Sequence, residues 1–599
     1  MEVDVEKFER QFQQFVDATE EARAISAKCR DYRDGRQWTA EEENILRARG
    51  QAPIVINRIA PKVNALMGME ISNRVDPRAF PRNPKDEDAA LAITQALRYV
   101  EENTRFDLIA SAVFEMNAVE GYGGCIVEVD EDAEIVIREI DFSRLYFDPH
   151  SRQKDFRDAK YIGIVIWMDA EDAKERWGDK IDVAMSTMET GTETFDDRPL
   201  WIDRKRNRVK VCEHYYLMKG VWHLCYFTQG VMLDDPIESP YTDEKGRPIC
   251  PIEIESSLVD RDYNRYGIVR NWLDIQDEIN HRRSKALHLL SVRQTASQRG
   301  ALTDVEEAKY ELSKPNGHVI VNGEIGQSFQ ILPTSDMAQA QFTLLQEAKT
   351  EIDTQGVNAA LTGGLTGDLS GRALMQLKQS GMIELGPVLS WHRDWKLRVY
   401  RQMWYRIKQF WTEEKWIRVT DDPDSIKFVG FNYPVTAAEV LQERAKEGDQ
   451  TAQMALQQGM NDPRLQQVVE MRNNTAELDM DIIVEEVPDT ASLQHEQFQF
   501  LVELAGTYGK EAVPFEVLLE ASSLPNKKVL LDKLRGQDEA SSQVQALQQQ
   551  MAQLEMALKQ AELENKIAQA EKTGAEADQV QMENALLQAA PSPVTSVSI

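Results

Sequence analysis

The sequence predicts an α+β fold, mainly helical, spread over several domains. Three observations carry that prediction. The chain has 599 residues, more than one hydrophobic core ordinarily serves. Apolar residues recur at helical spacing, as at Phe8, Phe12, Phe15 and Val16, and again from Leu374 to Ile407. Between such stretches lie β-branched runs around turn residues, such as GGCIVEVDEDAEIVIREI (123–140).

Taken in order, residues 1 to about 49 read as helix, broken at Gly35 within DYRDGRQWT. QAPIVINRIAPKVNALMGMEISNR (51–74) reads as a short strand and then a helix, with Pro61 suited to its first turn. PRAFPRNP (77–84) reads as a loop, and 86–121 as helical again. Residues 123–140 predict a hairpin, and 145–169 a loop followed by a strand. VKVCEHYYLMKGVWHLCYF (209–227) predicts a second hairpin turning at Lys219-Gly220.

A long amphipathic helix follows at 266–290, with Ile268, Trp272, Ile275 and Ile279 as its stripe. SKPNGHVIVNG (313–323) reads as a turn and strand. SDMAQAQFTLLQEAKTEIDTQ (335–355) reads as a helix capped by Ser335. After the Gly-rich loop AALTGGLTGDLSGRAL (359–374), a helix runs to Phe410, with a kink expected at Pro387. Residues 413–490 read as IRVTDD, IKFVGFN and DMDIIVEEVP strands around a polar helix. Residues 491–535 read as a small helical bundle, before a long acidic helix and a Ser/Pro tail.

Composition excludes several classes. A formal net charge of −31 disfavours non-specific binding to nucleic acid or anionic membranes. No run of about 18 apolar residues appears, so no membrane helix is predicted. The start, MEVDVEKFERQF, lacks the apolar core of a signal peptide. Five scattered cysteines do not read as a disulfide framework and point to synthesis in a reducing cytoplasm.

Catalytic motifs are missing. No G-x-x-x-x-G-K-[ST] loop, nucleophile elbow or H-E-x-x-H occurs. Cys212, His214, His223 and Cys225 share one face of the second hairpin, which suggests zinc. Register argues against it: His214 falls opposite Cys225 but His223 falls opposite Tyr216. Cys212 and His223 then stand roughly 13 Å apart at ~3.3 Å per residue. The tryptophans of WHRDWKLRVYRQMWYRIKQFW (391–411) could stack on bases, but their helical spacing favours core packing. The best candidates for contact with nucleic acid or an acidic partner are Arg282, Arg283 and Lys285 of HRRSK, with Arg293 and Arg299. Ordinary surface charge explains them equally well.

The order of these elements, with local motifs, resembles the portal proteins of tailed bacteriophages of the short-tailed (podovirus) type. The resemblance rests on YRDGRQW (32–38), IVINRIAPKVNALMGMEISNR (54–74), FDPHSRQKDFRDAKYI (147–162), YGIVRNWLDIQDEINHRRS (266–284), LSGRAL (369–374) and VEEVPDTASLQHEQF (484–498). It implies a portal fold: wing (1–265), first stem helix (266–292), clip (293–334), second stem helix (335–355) and tunnel loop (356–371). A long helix with a second part of the wing (372–490), a crown (491–535), a barrel helix (536–590) and a flexible tail (591–599) follow.

The resemblance further implies a head-tail connector: a ring of about twelve copies at one capsid vertex, in the virion, made in the host bacterial cytoplasm. Double-stranded DNA would pass through it, and its partners would be the terminase large subunit, the major capsid and scaffolding proteins and a tail adaptor. No membrane, cofactor, metal or catalysis is implied, because the ATPase belongs to the terminase. Tunnel-loop residues nearest DNA would be Thr362, Gly363, Gly364, Thr366, Asp368 and Arg372. The basic residues 282, 283, 285, 293 and 299 would face the motor or adaptor.

Two other readings stand beside it. One is a DNA-processing nuclease or ATPase, for which no metal or phosphate site is found. The other is a coiled-coil scaffolding or adaptor protein, which only the terminal helix motivates. That helix, VQALQQQMAQLEMALKQAELENKIAQAE (544–571), carries a stripe of Val544, Leu547, Met551, Leu554 and Leu558 that fails at Asn565 and Lys572. Such a weak stripe suits one stave of a ring-shaped barrel, stable only on assembly.

Overall fold

A computed structural model describes residues 5–82, 87–187, 201–203, 205–291, 294–314, 316–332, 335–355, 371–419, 427–446, 463–478, 480–486, 501–502 and 515–520. Residues 1–487 form one compact unit and 488–599 a second.

The first unit opens with α1 (Val5–Asp34), ended by Gly35 at φ 89°. In α2 (Ala40–Ala48) a capping box joins Thr39 and Glu42. Residues 51–58 are extended but form no strand, a correction to the sequence reading; their partners are helix side chains, described below. Asn57 Oδ1 accepts the N–H groups of Ile59 and Ala60, both at 3.0 Å, and so starts α3 (Ile59–Ser72).

β1 (Val75–Pro81) corrects the loop expected there. It pairs antiparallel with 480–486, with Pro77 opposite Val484 and Pro81 opposite Met480. The N–H of Ala79, between those prolines in the pleat, turns away from the partner to Thr94 Oγ1 at 3.0 Å. Both prolines therefore fall at positions that owe the ladder no donor. α4 (Glu87–Thr104) and α5 (Phe106–Val119) follow, separated by Arg105 at φ 51°.

The expected hairpins both form. β2 (Gly123–Val129) pairs with β3 (Ile135–Ile140). Next come β4 (Leu145–Phe147), β5 (Tyr161–Asp169), α6 (Ala170–Trp177), α7 (Asp179–Thr187) and β6 (Ile202–Asp203). β7 (Arg208–Met218) and β8 (Val221–Thr228) turn at Lys219 and Gly220, whose φ values of 51° and 82° suit a two-residue hairpin. β9 (Val231–Glu238) completes a sheet ordered β4-β5-β7-β8-β9, with β6 beside β7. β10 (Ile252–Glu255) joins the smaller sheet in the order β10-β2-β3.

A 3-10 turn at Ile268–Trp272 leads into α8 (Leu273–Ser291). Then come β11 (Gln294–Ser297), α9 (Val305–Ser313), β12 (Phe329–Leu332) and α10 (Ser335–Thr354). The strand expected within 313–323 is not found among its described residues; β11 pairs instead with β12. α11 (Gly371–Phe410) is one helix of 40 residues, about 60 Å long at ~1.5 Å per residue, with Pro387 inside it. The unit closes with β13 (Lys415–Val419), β14 (Lys427–Phe431), β15 (Tyr433–Thr436), α12 (Ala437–Lys446), β16 (Val468–Arg472) and β17 (Met480–Glu486). Of the second unit, the described residues include the helix α13 (Phe515–Glu520).

Three apolar cores organise the first unit. In one, Phe8, Phe12 and Phe15 of α1 cover the larger sheet. Their spacing of three and four puts all three rings on one helix face. In the second, α4 and α5 pack with the small sheet against Trp395, Val399, Met403, Trp404 and Ile407 of α11. The third joins α3 to α8, α10 and the stretch of α11 holding Leu385 and Val388. α11 is thus shared by two cores.

Candidate functional site

The helices α8 and α10 pack against each other, and the segment between them is largely exposed. Their footing is a ladder of polar side chains. Gln276, Asn280 and Ser284 recur every four residues, so they line one face of α8. Against them runs the extended segment 54–58. Ser284 Oγ accepts the N–H of Ile54 at 3.1 Å, Asn280 Oδ1 that of Ile56 at 2.9 Å, and Gln276 Oε1 that of Arg58 at 2.9 Å. Gln276 Nε2 returns a bond to the carbonyl of Ile56 at 2.8 Å, and Asn280 Nδ2 donates to Gln37 Oε1 at 2.6 Å. All three side chains are buried. The helix supplies what a neighbouring strand would, so the backbone polar groups stay satisfied.

From that footing α8 carries the predicted basic residues outward. Arg282 pairs with Glu278 one turn below. Arg283 lies over the Phe342 ring of α10, 5.9 Å from its centre. Lys285 is exposed. Arg299 is exposed in the turn after β11, and Arg293 lies outside the described residues. The structure therefore sets 282 and 283 against the helix pair and leaves 285 and 299 open to a partner. The intervening segment has little core. Every residue of β11 is exposed, and Ile320 and Ile325 stand 78% and 87% exposed. α9 holds its own start, because Asp304 accepts from the N–H groups of Glu306 and Glu307.

Of the residues expected nearest DNA, Thr362, Gly363, Gly364, Thr366 and Asp368 lie outside the described residues. Arg372 falls in the first turn of α11 rather than in a loop, since the helix begins at Gly371. The barrel residues Val544, Leu547, Met551, Leu554 and Leu558 also lie outside the described residues.

The body anchors α11 with a buried charge cluster that sequence reasoning missed. His392 Nδ1 meets Glu255 Oε2 of β10 at 2.8 Å. Its Nε2 lies 3.5 Å from Glu70 Oε1 of α3, an ion-pair contact rather than a well-formed hydrogen bond. Lys396, one turn on, reaches the same Glu70 oxygen at 3.4 Å. Ser111 donates to the other Glu70 oxygen, and Asn117 donates to Glu255 at 2.7 Å. Burial disfavours ionisation of Glu70, but His392, Lys396 and Ser111 outweigh it and hold its carboxyl down at about 2. Burial likewise opposes charge on His392, yet Glu255 and Glu70 raise its pKa above the ordinary 6.5. Two acids and two bases from three elements thus balance in a dry site. The available signal was Glu70 itself, a carboxylate among the buried Val63, Leu66 and Met69 of an otherwise apolar helix.

The zinc reading fails on positive evidence. Pairing places His214 opposite Cys225 and Tyr216 opposite His223, as the register argument required. Both ring nitrogens of His214 are engaged, Nδ1 with the Tyr146 hydroxyl at 3.0 Å and Nε2 with Gln11 Oε1 at 3.1 Å. Burial, helped by Lys7, pushes its pKa down to about 3, so it is a neutral core residue. The tryptophans Trp395, Trp404 and Trp411 are buried in the core, as their helical spacing favours.

The sequence matches the family described as Phage P22-like portal protein over residues 9–220 and 217–580. It is also 21% identical, over 405 residues, to the portal protein of Helicobacter pylori bacteriophage KHP30. That similarity covers 66% of this chain and 64% of the phage protein, so the chain spans just under two thirds of that relative's length. With matched segments running from α1 through α11 to residue 580, the chain belongs to the phage P22-like portal protein family.

Proposed function

We propose that this chain is a portal subunit: copies of it form a ring at one capsid vertex, and double-stranded DNA enters and leaves through the hole. The observation that carries the reading is the family match from residue 9 to residue 580, which takes in nearly every described element. The local structure agrees with it. The helix pair α8 and α10 is the stem, and residues 293–334 between them are the clip. Residues 356–370, outside the described residues, are assigned to the tunnel loop ahead of α11, while 1–265 and part of 372–490 are the wing. Residues 491–535 are the crown and 536–590 the barrel.

Charge suits the task. Each chain carries −31, so a ring of about twelve repels the phosphates that dominate non-specific DNA affinity. DNA can then slide without being trapped. Lys285 and Arg299, exposed near the clip, with Arg293, contact the terminase large subunit or the tail adaptor. The wing and crown meet the capsid and scaffolding proteins. The chain performs no catalysis in this scheme; the motor supplies the ATPase.

Negative-stain images of the purified full chain test the reading. Rings of about twelve copies with a central hole support it. Monomers or filaments reject it. Rings bearing Arg293→Glu and Arg299→Glu that still bind the motor normally would reject the clip assignment alone.

A further inference from the structure

A cavity of about 90 Å³ lies between α1 and the loop 260–265. Arg23 and Ser26 of α1, Tyr122, Phe147, Asp262 and Arg265 line it. Its volume is that of roughly three waters at ~30 Å³ each.

Two donors there lack acceptors. Tyr122 is only 4% exposed, and its hydroxyl has no hydrogen-bond partner. Arg265 is equally buried, and its Nε has no partner either. The rest of that guanidinium is fixed: Nη1 donates to the carbonyl of Tyr263 at 2.9 Å, and Nη2 to those of Ser151 and Gln153 at 2.9 and 3.1 Å. Its face stacks on Phe156 and Phe147. Arg23, half-buried, lines the same cavity and donates Nε to Thr19 and Nη2 to the carbonyl of Val16. Among the described residues neither arginine has an ion-pair partner.

The nearby acids are engaged elsewhere. Glu120 is held by Arg30 through both oxygens. Asp158 accepts from Ser151 and from the N–H of Arg152, Asp148 from the N–H groups of His150 and Lys160, and Asp260 pairs with Arg270. Only Asp262, exposed, lines the cavity itself. Asp158, Asp148 and Asp260 act on Arg265 through space and partly balance its charge, but none of them accepts from the Tyr122 hydroxyl or from Arg265 Nε. A buried donor left without an acceptor is costly.

We propose that this cavity binds a small tetrahedral oxyanion of the phosphate or sulfate class, held by the Tyr122 hydroxyl, Arg265 Nε and Arg23. The three groups come from separate chain segments, and a tetrahedral anion offers them more acceptor oxygens than a planar carboxylate. Arginine is also the side chain best matched to such anions. Once bound, the anion ties α1 to the loop 260–265.

The test is calorimetric titration of the purified full chain, exchanged into chloride buffer, with inorganic phosphate, sulfate or acetate. The site predicts saturable heat for phosphate and sulfate and weaker binding of acetate. Tyr122→Phe and Arg23→Gln should each weaken phosphate binding about tenfold, the scale of one charge-assisted hydrogen bond. Hydrogen exchange of α1 in phosphate-free buffer, unchanged in Tyr122→Phe, shows that the fold survives. No saturable phosphate heat, wild-type affinity in both variants, or tighter binding of acetate than of phosphate overturns the proposal. So does density in which waters alone, or a carboxylate from another copy, fill the cavity. None of these outcomes bears on whether the chain forms a ring.

Discussion

Asn280 of α8 accepts the backbone N–H of Ile56 at 2.9 Å, across 224 residues of sequence. With Gln276 and Ser284 it turns one face of a helix into a substitute for a β-strand. Removing a rung leaves a buried backbone N–H without an acceptor, which costs about 1–3 kcal/mol. Asn280→Ala should therefore raise hydrogen exchange at Ile56 and in α2, and lower the denaturant midpoint. Asn280→Asp keeps the acceptor but loses the donor to Gln37, so part of the loss should remain. An unchanged exchange rate at Ile56 in Asn280→Ala would show that the segment is held by packing alone.

Glu70 should be the most costly single acid to neutralise. Breaking a buried, paired charge typically costs about 3–5 kcal/mol. Glu70→Gln should loosen α3 against α11, read as faster exchange in both. The pH dependence has two parts. The depressed Glu70 contributes stability that is full above its ordinary 4.5 and is lost as pH falls toward about 2. The raised His392 contributes stability that is full below 6.5 and is lost as pH rises through its higher folded value. Wild type and Glu70→Gln should draw together as pH falls below 4.5 and converge near about pH 2, where the folded wild-type acid is protonated. A gap between them that stays constant from pH 7 to pH 2.5 would contradict the cluster's role.

Pro77 and Pro81 sit where β1 owes β17 no N–H. The neighbouring parity does owe one. Arg78→Pro should thus detach β17 at a cost of about 3 kcal/mol, whereas Pro77→Ala should change stability by less than about 0.5 kcal/mol. Limited proteolysis near residue 480 separates the two. Equal protection of both variants would mean that the pairing register is wrong.

Lys285 and Arg299 are exposed, and neither has an ion-pair partner among the described residues. Lys285→Glu and Arg299→Glu should leave unfolding within about 0.5 kcal/mol of wild type. Arg282→Glu should cost more, because it places like charge beside Glu278. If the first two melt early, they are structural residues and cannot report on a partner contact.

Much of this was legible in local pattern. The spacing of Phe8, Phe12 and Phe15 marked a helix face, and Lys219-Gly220 marked a hairpin whose register then ruled on His214 and Cys225 before any coordinates. Helical spacing also assigned Trp395 and Trp404 to the core. These signals are short-range, so a periodicity argument reaches them. What it could not reach were partners distant in sequence. Residues 51–58 have the composition of a strand, but whether a strand, a helix or water satisfies their backbone depends on what lies alongside. β1 carries two prolines and reads as a loop until β17, some 400 residues later, supplies the matching register. His392, Lys396 and Glu255 each look like surface charge alone, and the place of Glu70 among apolar residues names no partner for it. Only their convergence from α3, α11 and β10 makes them a neutral buried cluster. The sequence by itself determined both hairpins, the buried faces of α1 and α11, and the family, because those rest on local spacing and ordered motifs. The tertiary structure alone decided the polar ladder, the charge cluster and the Tyr122 cavity, because each depends on the burial of groups that nothing nearby in the chain can pair.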